Sequence, residues 1–175
     1  MFLCLLQTPL HSAQMNIMLI ENGLTTASAA KVVSVYAFGT IVGRIVCGLA
    51  LDRYPTPIVT ACSMALPALG YFLLATPHDT ATVITFSMFL VGLSVGAESD
   101  LISYLVARYF KLRIYNTTLG LVFTTSFLAS AVGALTISAT LRQWDSFAPF
   151  MYLVSGTIAL GGLLFTRLPR SRAFE

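Results

Sequence analysis

The chain has 175 residues, 57% of them hydrophobic and only 10% charged, with 10 Lys and Arg against 7 Asp and Glu and a formal net charge of +3. A soluble domain carries roughly a quarter charged residues, so this composition excludes an ordinary globular fold and makes lipid the main solvent. The cations form no dense run of the kind that phosphate binding requires, which argues against a nucleic-acid partner.

Cutting at charges, prolines and polar turns predicts an all-α membrane protein, a single six-helix domain over 1–175 with spans at about 3–20, 27–51, 57–75, 80–107, 117–140 and 147–166. Each approaches or exceeds the roughly 20 residues that a bilayer crossing needs. The first stretch has no basic leading region and no clear small-residue cleavage site, so it reads as a span rather than a removable signal. It is also short and carries Gln7, Pro9, His11 and Gln14, which fits either a polar helix or the end of one that starts further upstream. His11 is a candidate anion or proton contact, because imidazole titrates near neutrality, with a polar packing role as the plainer reading.

The second span holds Gly39 and Gly43 four residues apart, then Arg44 and Gly48, and it ends at Asp52 and Arg53 before Pro55. Small residues at that spacing let another helix approach closely. The third span carries Pro67, and the compact links Asp52-Arg53-Tyr54-Pro55 and Pro77-His78-Asp79 require antiparallel neighbours. The fourth span repeats the glycine step at Gly92 and Gly96 and then carries Glu98 and Asp100. An isolated charge in hydrocarbon costs several kcal/mol, so embedded charges are expected to be paired, water-exposed or functional. Arg44 lies eight residues inside Asp52, and Asp100 eight residues inside Arg108, roughly 12 Å at 1.5 Å per residue. That common depth predicts that Arg44 meets Glu98 or Asp100. The two carboxylates are two positions apart and point to different helix faces, so they do not form a matched acid pair.

A basic link over 108–116 is expected before the fifth span, in which Ser126, Ser130 and Gly133 permit close packing. Ser155, Gly156, Gly161 and Gly162 do the same in the sixth, and Trp144 reads as an interfacial anchor. With the N-terminus in the cytoplasm, that side receives Arg44, Arg53, Arg108, Lys111, Arg113, Arg167, Arg170 and Arg172, and the outside only Lys31 and Arg142. The bias places both termini in the cytoplasm of a cell bounded by a plasma or bacterial inner membrane. Cys4, Cys47 and Cys62 lack ligand spacing, and no phosphate loop, nucleophile elbow or dinucleotide fingerprint is present, so neither an enzyme nor a metal or other cofactor is expected.

The run Gly43-Arg44-Ile45-Val46-Cys47-Gly48-Leu49-Ala50-Leu51-Asp52-Arg53 resembles the cytoplasmic end of the eighth helix of major facilitator superfamily transporters. Gly92-Leu93-Ser94-Val95-Gly96-Ala97-Glu98-Ser99-Asp100, continuing through Tyr104 to Arg108, resembles the tenth helix in the branch of oxalate/formate antiporters and monocarboxylate transporters. Lys111 and Asn116 depart from that pattern, standing where glycine is usual.

The resemblance covers nearly the whole chain as the C-terminal half of such a protein. It implies a secondary transporter of a small organic solute, such as a monocarboxylate or another organic anion, driven by proton coupling or exchange. It further implies a cytoplasmic gate of Asp52 and Arg53 with Glu98 or Asp100 as partner, and an anion path touching Arg44. From the residues themselves Arg108 is expected in that charge network, His11 on the substrate path, and Gly39, Gly43, Gly48, Gly92 and Gly96 in helix packing. A six-helix half supplies one wall of a passage, so an N-terminal or partner half is expected beside it. The competing expectation is a non-transporting membrane fragment that only folds or assembles with another protein.

Overall fold

The computed structural model describes residues 1–76, 80–110 and 112–167. The Pro77-His78-Asp79 turn, Lys111, Arg170 and Arg172 lie outside the described residues. Among those described the chain is all helix: α1 (Phe2–Leu5), α2 (Thr8–Ser12), α3 (Met15–Glu21), α4 (Thr26–Arg53), α5 (Thr56–Ala75), α6 (Ala81–Tyr109), α7 (Tyr115–Trp144) and α8 (Ala148–Phe165), with a 3-10 turn at Leu112–Ile114. Helices α4 to α8 are each long and apolar enough to cross a membrane.

Where one helix over 3–20 is expected, the chain instead breaks twice, which corrects the first predicted span. Pro9 stands in the first turn of α2, where its missing N–H does least harm, and Gln7 occupies the break before it. The Thr8 hydroxyl donates to the Leu5 carbonyl at 2.7 Å and the Ser12 hydroxyl to the Thr8 carbonyl at 2.7 Å. Such side-chain bonds compete with the backbone ladder for the same carbonyls. The broken segment still runs beside α8: Cys4 packs at Gly161, and the Glu21 carboxylate accepts from the Phe147 N–H at 3.1 Å. Those two contacts are roughly 20 Å apart along α8 at 1.5 Å per residue.

The long helices begin and end for local reasons. The Thr25 side chain caps α4 by accepting from the Ser28 N–H at 3.3 Å, and α4 stops two residues before Pro55. Pro57 and Pro149 sit in the first turns of α5 and α8. Helix α7 ends where Asp145 adopts φ 50°, a left-handed C-terminal stop. The link expected over 108–116 is shorter than its sequence suggests, because α6 runs to Tyr109 and α7 starts at Tyr115. Hydroxyls along the spans fold back on carbonyls one turn earlier, as Thr124 does on Gly120 and Thr136 on Val132, so few polar atoms face lipid unpaired.

Contacts fix the directions. Gly39 faces Phe89, Gly43 faces Leu93, and Gly96 faces Thr40, so numbers rise together and α4 and α6 run parallel. Ser155 donates to the Ala68 carbonyl at 2.8 Å while Gly162 sits against Ala61 and Ala65, so α5 and α8 run antiparallel. Two apolar clusters stack along the bundle. The larger holds Leu10, Leu19, Tyr71, Met88, Phe147 and Phe150, and the smaller Cys4, Cys47, Met64, Ala97 and Leu101.

Candidate functional site

The site grows out of the crossing between α4 and α6. An added Cβ at Gly43 would meet the Leu93 backbone, one at Gly92 the Tyr36 carbonyl, one at Gly96 the Thr40 carbonyl and one at Gly39 the Phe89 carbonyl at 2.8 Å. Four glycines therefore bring two backbones into direct contact, the close approach that only the smallest residue allows. Gly48 takes no part: it is exposed, with nothing within 4 Å of an added Cβ. Five residues beyond Gly43 it has rotated off the face that meets α6, so its expected packing role is corrected.

The seam sets Arg44, next to Gly43, level with the residues after Gly96. Arg44 Nε lies 3.3 Å from Asp100 Oδ2, and Arg44 Nη2 donates to Ser99 Oγ at 3.0 Å. Ser99 Oγ in turn donates to Asp100 Oδ1 at 3.5 Å. The side chains of Arg44 and Asp100 are 60% and 43% exposed, so the pair lies on the outer face of the crossing rather than between the helices. Of the two carboxylates, then, Asp100 meets the arginine. Glu98 is turned inward and is an electrostatic neighbour of Cys4, Tyr36 and Tyr71.

The remaining expected residues fall elsewhere. Asp52 and Arg53 are exposed at the end of α4 and make no ion pair with any described residue. Neither Glu98 nor Asp100 is brought to them. Arg108 donates to the Tyr104 hydroxyl at 2.8 Å and lies over that ring, 5.8 Å from its centroid. His11 is buried, with its Nδ1 3.4 Å from the Tyr71 hydroxyl and its ring 6.1 Å from that of Tyr36.

Three contributors escape the sequence reading. Ser99 was visible as the residue between two charges, but a serine there looks like any small helical residue. Tyr71 lies sixty residues from His11 with no local signal joining them. Gln7 is 2% exposed, and its Oε1 has no hydrogen-bond partner among the described residues, an uncommon state for a buried amide. No group of three or more His, Cys, Asp and Glu side chains among the described residues is arranged to hold a metal.

Five helices long and apolar enough to cross a membrane, with an arginine and an aspartate open on one face of a helix crossing, define a multi-span helical membrane protein. The family model of the Major Facilitator Superfamily matches residues 2–174, and the chain belongs to that superfamily, whose members are transporters and not enzymes. No curated protein and no solved structure matches it.

Proposed function

We propose that the chain is one six-span half of a secondary carrier for a small organic solute of the monocarboxylate or organic-anion class, working by proton coupling or exchange as the oxalate/formate and monocarboxylate branch does. The observation that carries the reading is Arg44. Its side chain is 60% exposed on a membrane-spanning helix, and its guanidinium is held through one ion-pair contact and one serine. A cation open to hydrocarbon at that depth is costly, so the face it occupies is better suited to a water-lined passage. A second six-helix half would form the other wall.

In this reading Arg44 meets the solute's carboxylate, while the burial of His11 against Tyr71 favours a packing role for the imidazole. Asp52 and Arg53 work at the cytoplasmic gate, with Glu98 and Arg108 supporting α6. Arg53, Arg113 and Arg167 mark the cytoplasmic side and Lys31 and Arg142 the outside, with both termini inside a plasma or bacterial inner membrane. The broken segment over residues 2–21 serves as the first of the six spans, supported by its run along α8.

Uptake of a radiolabelled acid panel into vesicles containing the two-half carrier tests the reading. Arg44→Gln should reduce uptake of the preferred anion at least tenfold with insertion unchanged, in line with the loss of a hydrogen-bonded charge contact, about 1.4 kcal/mol or more. Uptake of all acids at wild-type affinity and turnover in Arg44→Gln would reject it. Cysteines introduced near Glu21 and Arg142 should label from outside, and those near Arg53 only after permeabilisation.

A further inference from the structure

We propose that Asp100 is an internal stand-in for the solute, holding Arg44 while the site is empty and giving it up when a carboxylate arrives. This rests on Arg44 being the anion contact.

The geometry describes a partner that can leave. A direct contact between a guanidinium nitrogen and a carboxylate oxygen is about 2.7–2.9 Å, and the strong form is bidentate. Here a single oxygen stands 3.3 Å from Nε, and the second carboxylate oxygen faces Ser99 Oγ at 3.5 Å. With 43% of its side chain exposed, Asp100 has an open side toward which it can turn. Ser99 stays behind, because its hydroxyl accepts from Nη2 at 3.0 Å and keeps the guanidinium aimed at the same place.

Charge balance supplies the reason for an exchange of partners. Arg44 and Asp100 sum to zero, so an anion added beside the intact pair would meet a guanidinium already neutralised and a second carboxylate that repels it. If Asp100 swings away as the anion binds, Arg44 is neutralised throughout, by the aspartate when the site is empty and by the solute when it is loaded. No covalent bond changes. One ionic contact replaces another, and Asp100 ends on its exposed side. An aspartate side chain is a carboxylate on one methylene, so the solute class that imitates it best is a short monocarboxylate. Asp100 is thus a competitor for the site, and its removal should strengthen anion binding rather than weaken it.

The test uses the purified two-half carrier in lipid nanodiscs, titrated with sodium acetate against sodium chloride at equal ionic strength and read by thermal unfolding. Asp100→Asn should lower the half-saturating acetate concentration about three- to fivefold, the fold-change expected when an exposed ion pair no longer competes. Arg44→Gln, and Arg44→Gln combined with Asp100→Asn, should show no acetate-specific response. If Asp100→Asn gives no cooperative transition, Asp100→Ala carries the same expectation. An acetate response equal to or weaker than wild type in the Asp100 variant, with Arg44→Gln still silent, would overturn the stand-in and leave Arg44 as the anion contact. A response that survives Arg44→Gln would overturn both. Silence in every variant, including the one that frees Arg44, would overturn the stand-in as well.

Discussion

Two polar clusters flank the same pair of helices and solve the membrane's cost in opposite ways. Arg44 and Asp100 carry full charges, sit in the open and balance each other across a loose contact, with the neutral Ser99 hydroxyl bridging them. His11 and Tyr71 are shut inside, where a single hydroxyl-to-imidazole contact of 3.4 Å joins two rings that are also packed by apolar neighbours. The open cluster is held in place by backbone geometry and the closed one by its surroundings. Substitutions should therefore hurt the first in ligand response and the second in stability.

The largest effect should come from the seam beneath the open cluster. Gly96→Leu drives a side chain into the Thr40 backbone, which cannot yield as a flexible side chain would. We expect a loss of about 3 kcal/mol in denaturant unfolding, together with loss of the acetate response, because α4 and α6 must part. Wild-type stability in that variant would break the account of the crossing. Next in size, His11→Ala should cost about 2 kcal/mol by opening a cavity and stranding the Tyr71 hydroxyl, with the acetate response of the remaining folded protein intact. A lost acetate response there would merge the two clusters and end the distinction. Tyr71→Phe removes only the hydroxyl and should cost about 1 kcal/mol in the same assay. Smallest of all, Asp100→Asn should change stability by less than about 1 kcal/mol, since an exposed pair contributes little to folding. A larger loss would make the pair a structural bridge.

Much of this arrangement can be read along the chain. Four-residue glycine steps in two spans imply a close crossing, and the four glycines meet backbone across it. Counting eight residues inward from Asp52 and from Arg108 puts Arg44 level with Asp100, and the two side chains lie 3.3 Å apart. Depth follows from rise per residue, which is constant, so it survives translation from sequence. Rotation about the helix axis does not, because it depends on which neighbour wins the packing. That is why the choice between Glu98 and Asp100 stayed open, and why Gly48 reads as a packing glycine although it faces away. The break at Gln7 was hidden for a different reason. Pro9 can start a helix or kink one, and the interrupted path is supported by distant contacts such as Gly133 on α7, whose bare Cα leaves room for the Leu6 carbonyl and Pro9. The meeting of His11 with Tyr71 is purely tertiary and leaves no pattern along the chain.

The parallel seam has a mechanical consequence. Two helices whose carbonyls rest against each other's glycine Cα atoms have no side-chain layer to shear, so α4 and α6 must tilt as one plank. Whatever rocking accompanies transport, the gap between them works as a fixed ruler. Spin labels placed at Ala37 and Leu90, on either side of the seam, should report one unchanged distance with and without acetate, even while labels on α7 move relative to both.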